Sequence, residues 1–401
     1  MTQQKVAVLT TSRSEYYQLR SILRHLQRSE ILSSYLFVSG SHLSPHFGRT
    51  EEEIASDGFH IVERLPILVD DDSPMGAAVT AGLAVQMVGT ALQRHAIDLL
   101  LLLGDRYELL GAALAATCVG VPIAHVHGGE RTDGALDDAC RHAITKLSSL
   151  HFVSTDVYRA RILQMGEPAN RAFTIGAPFL DEVLAAPLLT EQELADCLRL
   201  RIVHPVGLVA YHPATREGGD DARICRHILE CVSEKCKTII ATAPNSDPGY
   251  GGIWGVIRAF CDQRENAGAF ANLGSQTFLS VMSHADVMVG NSSSGIHEAA
   301  SFRLPVVNVG SRQASRLRPR NVLDCAADVE AIQKAVSEAL LPDFRRGLQD
   351  LQNPYGEGRA GERLVALLEG SVPFKKLLRK TFCDSADVVA ACTKWMARYG
   401  R

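Results

Sequence analysis

Leu99-Leu100-Leu101-Leu102-Leu103-Gly104-Asp105-Arg106-Tyr107-Glu108 is the stretch that decides the fold. An unbroken apolar run closed by a glycine reads as a strand buried on both faces, the kind that parallel sheets use. The pattern recurs at once. Val121 to Val126 runs into His127-Gly128-Gly129-Glu130, and Asp137 and Asp138 follow one short loop later. In an open parallel sheet, ligands bind beyond the carboxyl ends of the strands. Acids gathered there, beside glycines that let backbone approach closely, point to acid/base chemistry rather than to surface solubility.

Working outward, the alternation continues in both directions. Val6–Thr10, Tyr35–Val38, His60–Val62, Pro122–Val126, His151–Val153 and Phe173–Ile175 read as further strands. Tyr16–Gln27, Met75–Arg94, Glu108–Cys118, Leu136–Leu147 and Asp156–Met165 read as the helices between them. That order means βαβ units and a parallel sheet covered on both faces. A second series follows, with strands expected at Gly207–Ala210, Thr238–Ala241, Ala269–Leu273, Val287–Val289 and Val306–Val309. Its helices are expected at Arg223–Cys236, Ile253–Asp262, Thr277–His284 and Ile296–Phe302. The expected architecture is α/β, two doubly wound domains facing across a cleft. Their expected bounds are 1–178 and 179–370, with a tail, 371–401, read as an added helix presenting a solvated face.

The composition sets limits. The chain has 401 residues, 46% hydrophobic and 21% charged, enough for two sizeable cores and too apolar for disorder. A net charge of −4 offers no basic stripe for nucleic acid. No apolar run is read as a membrane span. The first residues lead straight into a strand with no leader pattern, and the ten cysteines show no metal-ligand spacing. They read as free thiols in a reducing, cytoplasmic setting.

A second candidate site lies in the later half. Val287-Met288-Val289-Gly290-Asn291-Ser292-Ser293-Ser294-Gly295-Ile296-His297-Glu298 reads as strand, small-residue turn and helix start. Unpaired amides at a helix start attract phosphate. The serines add hydroxyl donors, and Gly290 and Gly295 remove obstruction. A serine-capped turn with no ligand fits the same residues. Glu298 suits ribose hydroxyls, or serves as a first-turn acid. Near the start, Ser14 is a good N-cap, which leaves Arg13 in the preceding loop, where a guanidinium can clamp a diphosphate. No Walker lysine and no Gly-x-Gly-x-x-Gly follows a strand, so the phosphate belongs to a substrate or leaving group rather than to ATP or NAD.

Several segments in order carry a resemblance. They are Thr11-Ser12-Arg13-Ser14-Glu15-Tyr16, Gly104-Asp105-Arg106-Tyr107-Glu108, His125-Val126-His127-Gly128-Gly129-Glu130 and Asp137-Asp138-Ala139-Cys140-Arg141-His142. Gly290 to Glu298, Asn308-Val309-Gly310-Ser311-Arg312-Gln313 and Asn353-Pro354-Tyr355-Gly356 continue the set. From about Val6 to Leu368 the chain resembles the hydrolysing UDP-N-acetylglucosamine 2-epimerases of sialic-acid and related nonulosonic-acid pathways. The resemblance implies the GT-B fold, a UDP-sugar substrate, no cofactor, no metal, and a homodimer. It implies catalytic roles for Asp105, Glu130 and Asp137. Some members carry an acid where this chain has His127, which leaves Glu130 as the acidic residue. The third acid aligns with Asp137 or Asp138, with Asp137 favoured. Substrate contacts fall on Arg13, His127, Asp138, His212, Asn291, Ser292, Ser293, Ser294, Gly295, Glu298 and Arg312.

The implied reaction is loss of UDP with elimination to a glycal, then rehydration with inversion at C2. Each step needs a placed acid or base. At least one of the acids is expected to hold its proton unusually tightly through crowding by like charges. Asp105 with Arg106 also reads as a local ion pair, and Arg141 and His142 as supports for the acids. The alternatives are the same reaction on the 2,4-diacetamido-2,4,6-trideoxy analogue, a non-hydrolysing epimerase, and a GT-B glycosyltransferase.

Overall fold

The structure is a computed structural model describing residues 3–45, 50–69, 71, 73–132, 136–213, 220–244, 249–314 and 316–399. The chain divides into two compact units. The first comprises Met1–Glu182 with Gly358–Arg401, and the second Val183–Glu357.

In the first unit the elements run β1 (Gln4–Thr10), α1 (Arg13–Gln27), β2 (Leu32–Ser39), α2 (Glu51–Ser56), β3 (Ile61–Leu65), α3 (Pro74–Arg94), β4 (Leu99–Leu103) and α4 (Tyr107–Val119). They continue with β5 (Ile123–Val126), α5 (Leu136–Leu147), β6 (Leu150–Val153), α6 (Asp156–Gln164), β7 (Ala172–Thr174) and α7 (Phe179–Ala185). The sheet order is β3-β2-β1-β4-β5-β6-β7, and every pairing is parallel. The strand order reverses at β1/β4, so the crevice that such sheets use for ligands opens where Thr11–Arg13 and Gly104–Arg106 leave the sheet. The five leucines of β4 are all buried, as a strand covered on both faces requires.

Helix α3 starts cleanly, with Ser73 Oγ accepting from the Gly76 amide and Pro74 in the first turn. It meets α4 so closely that a Cβ on Gly111 would lie 2.4 Å from the Ala81 carbonyl oxygen. By length and composition α3 is long and apolar enough to cross a membrane, which corrects the reading that no run approaches that length. Its Ala84, Val88, Ala91 and Leu92 pack with Leu100 and Leu102 of β4 in the core.

The second unit contains α8 (Glu191–Leu198), β8 (Val206–Ala210), α9 (Asp221–Ser233), β9 (Thr238–Thr242), α10 (Tyr250–Cys261), β10 (Ala267–Phe270) and α11 (Gly274–His284). After these come β11 (Val287–Gly290), α12 (Ser294–His297), β12 (Val306–Val309), β13 (Val322–Cys325), α13 (Val329–Ala339) and α14 (Pro342–Arg346). Its parallel sheet runs β10-β9-β8-β11-β12-β13, reversing at β8/β11. The expected helix at Ile296–Phe302 is instead the single turn α12 followed by a 3-10 turn at Ala299–Phe302. Strand β13 and helix α13 were not anticipated. The strand is short, at the sheet edge and only half-buried, so it lacks the apolar run that marks its neighbours.

The last elements, α15 (Ala360–Glu369) and α16 (Ala386–Tyr399), belong to the first unit, which moves the expected boundaries at 178 and 370. Asp181 explains the attachment of α15. Its carboxylate accepts from the Ala360 and Gly361 amides at 2.9 and 2.7 Å and from Ser21 Oγ of α1 at 2.6 Å. Leu364, Val365 and Leu368 then join the core formed by Leu19, Ile22 and Leu26. The tail is not uniformly solvated either, because Lys380 is half-buried and pairs with Glu167 at 2.9 Å.

Candidate functional site

Both groups of candidate residues follow the carboxyl ends of strands at, or one strand away from, the reversal point of their own sheet. In the first unit, Gly104 leaves β4 at φ +109°, and its carbonyl is held by His125 Nε2 at 2.8 Å. Burial drives the His125 pKa down to about 3, so the ring is neutral and donates to that carbonyl. The next residue, Asp105, is ion-paired to Arg141 of α5. Arg141 is buried and also reaches Asp138 Oδ1 at 3.3 Å and Thr132 Oγ1 at 3.0 Å. One guanidinium therefore gathers two of the expected acids. Arg106 does not pair with Asp105, as a local reading allows. It turns to the buried Glu108 at 2.7 Å.

Asp137 and Asp138, adjacent in sequence, have different fates. Asp138 accepts from the Thr132 amide at 2.7 Å, from Arg141, and lies 3.5 Å from His142 Nε2. Its oxygens fasten the start of α5. Asp137 has no such hydrogen bond among the described residues, and its carboxyl is raised above the ordinary Asp range, first by burial and then by the charge of Asp105. The expected crowding by like charges is thus present but second to desolvation.

His127 adopts φ +67°, and its ring is used on both sides: Nδ1 lies 3.0 Å from Glu130 Oε1 and Nε2 2.9 Å from Gln18 Oε1. The ring orients Glu130. The turn that allows this needs Gly129, at φ +77°, where a Cβ would lie 2.4 Å from the Tyr158 carbonyl oxygen. Residues 133–135, between Glu130 and Asp137, lie outside the described residues.

Arg13 departs from expectation. Helix α1 begins at Arg13 with Ser12 as N-cap, so Ser14 is inside the helix and Arg13 is not in the loop. Its exposed guanidinium pairs with Glu53 at 3.1 Å. The sequence reading missed Glu15. This buried carboxylate accepts from the Thr11 amide at 2.7 Å and from Thr11 Oγ1 at 2.9 Å, and burial raises its pKa to about 7. Its place five residues beyond the end of a buried strand run was the available signal.

In the second unit, Gly290 ends β11 at φ +147°, and a Cβ there would lie 2.0 Å from the Ala210 carbonyl oxygen. Asn291 is buried and fully engaged. Its Oδ1 accepts from the His212 amide at 2.7 Å, and its Nδ2 donates to the His212 carbonyl at 2.8 Å. Its own carbonyl accepts from Arg312 at 3.2 Å and Gln313 at 2.9 Å. Asn291 is thus a clamp on the backbone of His212 rather than a free donor, and Arg312 spends one nitrogen on the same clamp. Gln313 was missed. Residues 214–217, which follow His212 and Pro213, lie outside the described residues.

Gly295 serves packing, since a Cβ there would lie 2.8 Å from Val306 Cγ1. Ser293 occupies the N-cap of α12 without a side-chain capping bond. Ser292 Oγ accepts weakly from the Ser294 amide at 3.4 Å. Glu298 carries the distinctive feature of this turn. Its Oε2 is shut away from solvent with no hydrogen-bond partner, and burial raises its pKa to about 7. The Asn353-Pro354-Tyr355 segment braces the turn from behind. Asn353 donates to the His297 carbonyl at 2.6 Å, and the Tyr355 ring packs edge-on against His297. Among the described residues, no three His, Cys, Asp or Glu side chains group as metal ligands.

The family model described as UDP-N-acetylglucosamine 2-epimerase matches residues 24–369. The chain belongs to that family. It is 35% identical over 377 residues to the UDP-N,N'-diacetylbacillosamine 2-epimerase (hydrolyzing) of Legionella pneumophila, covering 94% of this chain and 98% of the relative. It is 33% identical over 386 residues to the GDP/UDP-N,N'-diacetylbacillosamine 2-epimerase (hydrolyzing) of Campylobacter jejuni, covering 96% and 100%. The UDP-GlcNAc 2-epimerase of Neisseria meningitidis, solved bound to UDP-GlcNAc, superposes with a TM-score of 0.75 at 17% identity, covering 92% of this chain and all of that one. That likeness is one of fold, and the fold is GT-B, with a Rossmann-like parallel sheet in each unit. Within this epimerase family, the acids around Arg141 and the turn at Glu298 are the features whose chemistry needs explaining.

Proposed function

We propose that this chain is a hydrolysing 2-epimerase. It takes a nucleotide-linked 2-acetamido sugar of gluco configuration and releases the nucleoside diphosphate and the free manno-configured sugar. The observation that carries the reading is the trio Asp105, Asp137 and Asp138 around the single buried Arg141, with Asp137 alone left unbonded and raised. A carboxyl raised above its ordinary range, close to a second one held in an ion pair, is a pairing suited to acid/base chemistry on a sugar ring.

The C2 hydrogen of such a sugar is not acidic until the C1–O bond to diphosphate begins to break and positive charge grows on the ring. Nearby carboxylates stabilise that charge, as in glycoside hydrolysis. Loss of the C2 proton to one carboxylate then completes the elimination to a glycal. Water adds at C1 while a proton returns to C2 from the opposite face. Asp105, Asp137 and the His127-held Glu130 are the groups proposed for these transfers. Glu298, His212 and the serine hydroxyls are proposed for the nucleotide. The carboxylate oxygen of Glu298 without a partner is suited to accept from sugar hydroxyls.

Of the two sugars, the 2,4-diacetamido-2,4,6-trideoxy one is favoured over N-acetylglucosamine by the names of the Legionella and Campylobacter relatives. The test is incubation in deuterated water with UDP-N-acetylglucosamine, the UDP-linked diacetamido analogue and its GDP-linked counterpart. Free manno-configured sugar carrying deuterium at C2, with release of nucleotide, is the expected product from the diacetamido substrate. A nucleotide-linked epimer would assign the reversible reaction instead. No turnover of any of the three would remove the proposal.

A further inference from the structure

His125, which precedes the His127-Gly128-Gly129-Glu130 turn, takes no part in the proton transfers proposed above, yet it is fully buried and both nitrogens of its ring are used. Nε2 lies 2.8 Å from the Gly104 carbonyl oxygen and Nδ1 3.2 Å from Thr145 Oγ1. A carbonyl oxygen only accepts, so the ring proton is on Nε2. A second proton on the ring is opposed first by burial and then by the facing His151, His127 and Arg141. Nδ1 is therefore an acceptor, and the Thr145 hydroxyl is its donor. That hydroxyl also lies 2.9 Å from the Arg141 carbonyl oxygen. The Arg141 carbonyl, however, already receives the helical bond from the Thr145 amide, whereas Nδ1 has no other partner among the described residues.

The two ends of this link reach different acids. Gly104, at φ +109°, immediately precedes Asp105, and a glycine there leaves the chain freer than any other residue would. Both of its polar groups are tied to β5. Its amide donates to the Val126 carbonyl at 3.1 Å, and its carbonyl accepts from the His125 ring. Those two bonds fix the peptide plane from which Asp105 projects. Thr145 belongs to α5, where Asp137, Arg141 and Thr145 recur at intervals of four and share one face of the helix. Holding Thr145 holds the face that presents Asp137, whose carboxyl feels the charge of Asp105. Gly128 covers the link so closely that a Cβ there would lie 2.9 Å from Thr145 Oγ1 and 3.1 Å from His125 Nδ1.

We propose that His125 is a positioning residue that holds Asp105 and Asp137 in register with each other, by tying the end of β4 to α5 through Gly104 and Thr145. The role presupposes the function proposed above.

The test compares turnover of the three nucleotide sugars by the full-length parent and its variants, at a temperature where each is folded. Thr145→Val keeps the shape and removes the donor. It should lower kcat by about tenfold and leave KM and affinity for UDP within about twofold of the parent. Thr145→Ser, which keeps the hydroxyl, should recover kcat to within about threefold. His125→Leu cuts both arms and should lower kcat by about a hundredfold. Adding Thr145→Val to it should cost little more, because the two substitutions break one link. Thr145→Val and Thr145→Ser carry the test if His125→Leu does not fold. A role in stability alone would lower Tm and leave kcat of the folded protein unchanged. Nitrogen NMR of the histidine rings gives a readout besides activity. The His125 ring should carry its proton on Nε2 without titrating between about pH 5 and pH 8, and its Nδ1 signal should move in Thr145→Val. A proton on Nδ1, or an unchanged kcat in either folded variant of an active parent, would overturn the proposal. A parent inert on all three nucleotide sugars would remove the proposed function and this role with it.

Discussion

The two candidate regions solve the same problem, holding polar atoms at a strand end, with opposite means. In the first unit the atoms are held by charge, with Asp105, Asp138 and Thr132 all reaching Arg141. In the second they are held by neutral hydrogen bonds, chiefly the two-way clamp between Asn291 and the backbone of His212. Each leaves one carboxyl unsatisfied, Asp137 in one and Glu298 Oε2 in the other. Under the proposed function, the difference separates the groups assigned to chemistry from those assigned to binding. Charge networks respond to protonation, so they suit proton transfer. A rigid neutral turn with one buried acceptor suits recognition of hydroxyls.

The sharpest break of that comparison is Asp137→Asn. It should lower kcat by roughly 10³-fold while leaving nucleotide affinity and Tm near their original values, because no hydrogen bond is lost. It should also remove the limb of the pH–rate profile that lies above the ordinary Asp range. A fall in Tm with activity retained would instead make Asp137 structural.

Next in size is Arg141→Met, which frees two carboxylates from their shared partner. Unfolding by denaturant should show a loss of roughly 3 kcal/mol, together with a large fall in turnover, whereas Asp137→Asn affects turnover alone. Equal stability in the two variants would mean that Arg141 does not hold Asp105 and Asp138.

Glu298→Gln probes the second unit. It should weaken nucleotide binding by about tenfold, measured by titration calorimetry, with kcat less affected. It should also change the pH dependence of stability. Folding raises the Glu298 pKa from its ordinary 4.5 to about 7. The folded protein therefore holds a proton that the unfolded chain releases, and stability falls as pH rises between those values, by roughly 3 kcal/mol at most. The variant should lose less Tm between pH 5 and pH 8 than the parent. Glu15, raised to about 7 by burial, keeps its own share of that slope.

The smallest effect is expected for Arg13→Ala. An exposed pair with Glu53 contributes under about 1 kcal/mol, so Tm should scarcely move. A tenfold rise in KM would show that Arg13 leaves Glu53 for the diphosphate, and an unchanged KM would end that role.

The alternation of buried runs and helical segments was legible in the sequence because strand and helix periods are local. So were the strand ends where acids and small residues gather, since an apolar run has to stop somewhere. Edge strand β13 escaped because half-burial leaves too weak an apolar run. The start of α1 was misplaced by two residues because Ser12 and Ser14 are equally good caps on paper, while the backbone enters the helix at the first of them.

What the sequence by itself determined is therefore the parallel-sheet class, the order of the elements and the set of residues from which a site can be built. The tertiary structure alone decided their roles. Asp137 and Asp138 are neighbours of identical chemistry, and only the arrival of Thr132, Arg141 and His142 around one of them leaves the other free to titrate. Arg141 reaches Asp105 across 36 positions of sequence, Asn291 reaches His212 across 79, and Gly361 reaches Asp181 across 180. Such partners are fixed by burial, which penalises a polar atom carried inside unless it finds a hydrogen bond or keeps its proton, and no local pattern records which partner that will be.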